Sequence, residues 1–152
     1  MDNSALQQHL SQLFPQATVS TGHEYIEVTV EPSALHATAA TLKSNEECRF
    51  DYLFCQTGVD IKGKLGVVCH LRSTQLGHSC VLKSYTDNRE NAVMDTLSDI
   101  WTAAQFFERE IYDLLGIHFA NHPNLKRIFL EDDFVGHPLR KDFEDNINII
   151  QR

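Results

Sequence analysis

CRFDYLFCQTGVDIKGKLGVVCHLRSTQLGHSCVLKSYT, residues 48–86, decides the fold. It holds three strand candidates, Cys48 to Gly58, Lys64 to Ser73 and Gly77 to Thr86, parted by Asp60-Ile61-Lys62-Gly63 and by a turn at Gln75 to Gly77. Connectors this short join antiparallel neighbours, because a parallel return needs a crossover of about a dozen residues or more. Upstream, Tyr25 to Val30 alternates Ile26, Val28 and Val30 with Glu27 and Thr29, the pattern of a half-buried strand. Pro32 suits a first helical position, and Leu35, Ala39 and Leu42 share one face of a helix ending near Asn45. A short helix over Ala5 to Phe14, with Leu6, Leu10 and Leu13 in step, is closed by Pro15.

Downstream of Asn88 the signal turns helical. Thr96 with Asp99 and Thr102 with Gln105 match capping-box spacing, so a short turn is expected before a main helix from Ala103 to Leu115. Ala103, Phe107, Ile111, Leu114 and Leu115 mark its apolar face, with Arg109 and Asp113 opposite, and Gly116 supplies a left-handed cap. These elements predict an α+β fold, helices packed on a largely antiparallel sheet, over residues 1–116. From Ile117 to Arg152 the chain reads as an extended C-terminal arm carrying Ile128, Phe129, Leu130, Phe134, Leu139 and Phe143. Long irregular segments in compact domains usually serve binding, and so many large apolar side chains fit disorder poorly. A second protein surface is the expected place to bury them.

The chain has 152 residues, 42% of them hydrophobic, enough for one domain without disulfide or metal support. A formal net charge of -8 and the lack of a basic stripe argue against nucleic acid as a partner. No apolar run reaches the roughly 20 residues that span a bilayer, and the N-terminus lacks the charge-then-apolar pattern of a leader. Cys48, Cys55, Cys69 and Cys80 fall in strand-like stretches without C-x-x-C spacing, and read as free structural thiols.

His118, His122 and His137 lie near Glu131, Asp132 and Asp133, but Gly116 and Pro123 remove the helix that an H-x-x-x-H metal pair would need. Their bland reading, imidazoles bonded to backbone in turns, is favoured. Glu110 and Asp113 lack the paired Glu-x-x-His helices of a di-iron bundle and read as a solvated or partner-facing edge. Glu131-Asp132-Asp133 lacks the glycine and final glutamate of a calcium loop, and no nucleophile elbow or phosphate-cradling glycine motif occurs.

Three motifs carry a resemblance: E-R-E-x-Y-D-x-x-G-I at Glu108 to Ile117, H-P-x-L-x-R-I at His122 to Ile128, and G-H-P-L-R-K-D-F at Gly136 to Phe143. At family spacing they are similar to the C subunit of NADH-quinone oxidoreductase, the thirty-kilodalton subunit of respiratory complex I. A fainter likeness reaches back through Val59-Asp60 and Phe50-Asp51-Tyr52-Leu53 towards Tyr25. Cys55 and Glu144 depart from the usual acidic residue and proline, and a short tail from Asp145 replaces the family's longer one.

The resemblance implies a non-catalytic subunit without its own redox cofactor, in a complex that uses NADH, FMN, iron-sulfur clusters and quinone. It implies partners in the D subunit, which holds the quinone site, and in the iron-sulfur subunits B and I, at the cytoplasmic face of a bacterial inner membrane. Expected partner contacts are Glu108, Arg109, Tyr112 and Asp113 on the helix, then His122, Arg127, His137, Arg140, Lys141 and Asp142 along the arm. Two other readings stand beside it. One is an accessory subunit of a membrane-bound hydrogenase or of a ferredoxin- or plastoquinone-linked dehydrogenase; the other is a small metal-dependent enzyme using the three histidines.

Overall fold

The computed structural model describes residues 1–145; positions 146–152, the end of the expected arm, lie outside the described residues. Helix α1 (Asn3–Leu13) is followed by β1 (Thr18–Thr21) and β2 (Ile26–Val30). A short 3-10 turn, Pro32–Ala34, leads into α2 (Leu35–Ser44), then come β3 (Tyr52–Ile61), β4 (Lys64–Arg72) and β5 (Ser79–Thr86). After β6 (Val93–Asp95), helix α3 (Ala104–Leu115) and β7 (His118–Ala120) complete the regular elements among the described residues.

The expected hairpins form. β3 pairs antiparallel with β4 and β4 with β5, and the β3–β4 turn is the dipeptide Lys62-Gly63, with φ of 51° and 78°. Two residues at positive φ match the right-handed twist of the strands they join. The five-stranded sheet runs β1-β2-β5-β4-β3, antiparallel at every joint but one, since β2 lies parallel to β5. That parallel joint is made by the long return through α2, β3 and β4. β6 and β7 form a separate parallel pair.

Alternation along the strands sets one face of the sheet against the helices. Ile26, Val28, Leu65, Val67, Cys69, Leu71, Cys80 and Leu82 meet Leu6 and Leu10 of α1, Leu35, Ala39 and Leu42 of α2, and Ile111 and Leu115 of α3 in one core. The other face carries Tyr52, Phe54, His70 and Tyr25 in edge and tilted ring contacts. Helix α3 sits close on β3 because position 58 is glycine: a Cβ there would come within 2.4 Å of Leu115 Cδ1 and 2.8 Å of Ile111 Cγ2.

Helix α3 differs from its sequence expectation in two respects. It starts after Ala103 with no side-chain cap, and neither capping-box spacing is used as one. Thr96 directs its hydroxyl to Glu108 instead. Its buried residues are Ala104, Glu108, Ile111, Asp113 and Leu115, so Asp113 does not face away from the protein. The chain after Gly116 covers that side of the helix. Gly116 is the left-handed cap expected, at φ 73°, and a Cβ there would also strike the His137 ring at 2.5 Å. Ile117 and Phe119 join the core, and the irregular run begins after Ala120.

Candidate partner-binding surface

Asp113 organises the run. Its Oδ2 accepts the backbone N–H groups of Ile128 at 3.1 Å, Phe129 at 2.8 Å and Leu130 at 3.0 Å, while Oδ1 accepts Arg127 Nη1 at 2.8 Å. The same guanidinium donates to the Asp113 carbonyl at 3.0 Å and, through Nη2, to the carbonyls of Phe134 and Gly136, each at 2.9 Å. Arg127 also lies over the Phe134 ring, 5.6 Å from its centroid. A forked, planar cation can serve this many acceptors at once; an ammonium cannot.

Burial pushes the Asp113 carboxyl up, but the guanidinium and the amides outweigh it and hold the group down at about 2. Arg109 adds bonds to the carbonyls of Lys126 at 3.2 Å and Arg127 at 3.0 Å, and Leu139 N–H donates to the Leu114 carbonyl at 2.9 Å. His137 Nδ1 is 2.9 Å from the Asp113 carbonyl.

A second tie fixes the far end. Arg89 forks onto Asp60 at 2.7 and 2.8 Å, and Lys141 N–H donates to Asp60 Oδ2 at 2.9 Å. Asp142 pairs with Arg89 at 3.0 Å and with Arg140 at 3.3 Å, and Arg140 also donates to the Arg89 carbonyl. The Arg89 bonds hold the Asp60 carboxyl at about 2.

Of the ten residues expected at a partner contact, Lys141 and Asp142 are exposed, while Arg109, Tyr112, Arg127, His137 and Arg140 are half-buried and the His122 ring is buried. Glu108 and Asp113 are wholly buried and bonded within the chain. Sequence reasoning gave no role to Arg89, in the loop after β5, and met Asp60, near the end of β3, only within the fainter Val59-Asp60 likeness. The arm's apolar side chains stay out: Phe129 is 65% exposed, Val135 89% and Leu139 60%, with Phe106 of α3 at 63%. Backbone and charged groups are thus tied to the domain while large apolar groups face solvent. Such a surface presents apolar anchors without having to order them on binding.

The histidines are scattered. His122 Nδ1 accepts the Asn124 N–H at 3.0 Å and its Nε2 lies 3.0 Å from the Gln105 carbonyl. Among the described residues no group of three His, Cys, Asp or Glu side chains is placed to hold a metal ion. No described helix is long and apolar enough to cross a membrane.

Residues 28–146 match the family described as respiratory-chain NADH dehydrogenase, 30 Kd subunit. The chain belongs to this family. Among its relatives is the C subunit of NADH-quinone oxidoreductase of Moorella thermoacetica, 39% identical over 145 residues, covering 94% of this chain and 95% of that one. Another is the C/D subunit of NADH-quinone oxidoreductase of Phocaeicola vulgatus, 42% identical over 126 residues, covering 82% of this chain. The 30 Kd-family chain spans only 24% of that longer relative's length. Its fold recurs, at TM-score 0.78 and 24% identity, in a chain of the membrane-bound sulfane sulfur reductase, an archaeal respiratory membrane complex; 93% of this chain and 85% of that one are covered.

Proposed function

We propose that this chain is a non-catalytic positioning subunit of a quinone-reducing, proton-pumping NADH dehydrogenase complex. It docks through the ridge formed by α3 and the arm, at the cytoplasmic face of a bacterial inner membrane. The observation that carries the reading is the clamp: Asp113 and Arg127 hold residues 127–136 so that Phe129 and Val135 project outward. The partner in closest reach is the quinone-site D subunit, because relatives join C and D in one polypeptide. Subunits B and I, which bear iron-sulfur clusters, would lie beyond it, and NADH, FMN and quinone would bind on other chains.

In this scheme Glu108, Asp113 and Arg127 act indirectly, by shaping the ridge. Tyr112, His137, Arg140, Lys141 and Asp142 border it and set register through polar contacts. The test is to tag the chain in its native membrane and identify what co-purifies. Recovery with the quinone-site and iron-sulfur subunits of an NADH dehydrogenase supports the proposal. Recovery with hydrogenase or ferredoxin-linked subunits transfers the same surface to a related complex, and a monomer with stoichiometric metal on its histidines refutes it.

A further inference from the structure

Glu108 is wholly buried, and among the described residues no lysine or arginine pairs with it. Oε1 accepts the Leu97 N–H at 2.7 Å and faces Gln56 Nε2 at 3.5 Å; Oε2 accepts the Thr96 hydroxyl at 2.5 Å. The groups facing it from other elements are Gln56 on β3, Cys69 on β4, Asp99 in the turn before α3, and His122 on the arm. None of them neutralises a carboxylate. Burial pushes the Cys69 thiol far up, so it stays neutral, and Asp99 adds like charge. His122 Nε2 lies 3.9 Å away, but its hydrogen goes to the Gln105 carbonyl while Nδ1 accepts an amide, which describes a neutral ring. Arg109, next on the helix, turns to the carbonyls of Lys126 and Arg127. Beside Glu108, Gln56 Oε1 is buried with no hydrogen-bond partner among the described residues.

The carboxyl nevertheless leads outward through two hydroxyls, Thr96 and, 2.7 Å beyond it, Ser98. A cleft of about 380 Å3 is lined by His36, Asp95, Thr96, Asp99 and Asn121, with His36 and Asp99 paired at 2.8 Å. Thr96 thus belongs both to the cleft wall and to the Glu108 site.

We propose that Glu108 is a buried proton-binding site fed from the side of this cleft through the Ser98 and Thr96 hydroxyls, and that Gln56 turns its amide over to accept the acid O–H. Thr96 gives its hydrogen to Oε2 and takes the incoming one from the Ser98 hydroxyl, 2.7 Å away, which is refilled from solvent. A half-turn of the carboxyl then sets the O–H towards Gln56, whose oxygen gains the partner it lacks. A buried acceptor left unpaired is costly, and this bond is available only to the protonated acid. The site holds one proton between β3 and α3 without opening the core.

The test is NMR of the full chain labelled at glutamate carboxyl carbons. Burial places the Glu108 midpoint at about 7, far above its ordinary 4.5. One carboxyl signal should titrate there and vanish in Glu108→Gln, with the Leu97 N–H and the Gln56 side-chain amide following the same midpoint. Should Glu108→Gln fail to fold, the Leu97 amide of the unaltered chain assigns the signal. Carboxyl and Leu97 signals flat from roughly pH 5.5 to 8 overturn the site. A Leu97 signal that titrates while the Gln56 amide stays still overturns the turnover.

Discussion

Arg127 joins four oxygens, one carboxylate and three carbonyls, with a single guanidinium. Removing it leaves Asp113 charged, buried and short of its counter-ion. Arg127→Met should therefore lower unfolding stability by about 3–5 kcal/mol, whereas Lys64→Met, which breaks the exposed pair with Asp87, should change it by under about 1 kcal/mol. Urea unfolding of both variants decides it. The two buried acids also set opposite pH dependences. Asp113 is depressed to about 2 from 3.8, so its contribution is complete above pH 3.8 and is lost as pH falls towards 2. Glu108 is raised to about 7 from 4.5, so the folded state binds the extra proton. Its contribution is complete below pH 4.5 and is lost as pH rises to 7, a change of about 3 kcal/mol. Stability should peak between these windows, and Glu108→Gln should flatten the alkaline side. The sequence could not show this, since Glu108 and Asp113 look like ordinary helix-surface charges until the partners that bury them are known.

At the scale of elements, the hairpins and the span and Gly116 cap of α3 were legible, while the side that α3 buries was not. Lys62-Gly63 and Gln75 to Gly77 mark turns by local chemistry, so the order β3, β4, β5 follows from residues a few positions apart. β1, with four residues mostly exposed, and the parallel pair β6–β7 carry no comparable signal, because their pairing joins distant segments. The stripe Ala104, Glu108, Ile111 and Leu115 has helical spacing, yet the glutamate inside it hides the buried face from a reading based on apolar residues. Docking of this helix also depends on Gly58. Gly58→Val would place side-chain carbon against Leu115 and Ile111, and overpacking of this kind costs roughly 1–3 kcal/mol. Because α3 carries the Asp113 clamp, the same substitution should loosen the arm. Limited proteolysis should then cut after Ala120 faster than in the unaltered chain, with the sheet still protected; an equal cutting rate would mean that the arm is held independently of how α3 sits.

For the whole molecule the division of labour between anchoring and contact has a measurable consequence. Asp113, Arg127, Asp60 and Arg89 fix the arm from inside, while Phe129 and Leu139, at 65% and 60% exposure, add little to the chain's own core. Exposed positions away from caps and networks usually change stability by less than about 0.5 kcal/mol. Phe129→Asp and Leu139→Asp should therefore melt like the unaltered chain, and their isolated domains should show the same amide spectrum away from the substitution. Buried in a partner, the same side chains are candidates for interface anchors worth about 2 kcal/mol each, roughly a 30-fold loss of affinity per site. Native gels of membranes carrying the variants should show the complex depleted, more so for the double variant, with quinone-reductase activity falling in proportion to assembled complex. Arg127→Met separates the two roles from the opposite side: it should weaken both folding and assembly, because the ridge it shapes is lost. If Phe129→Asp and Leu139→Asp assemble normally while Arg127→Met does not, the partner reads the polar border of the ridge, Lys141 and Asp142 foremost, and not its apolar crest.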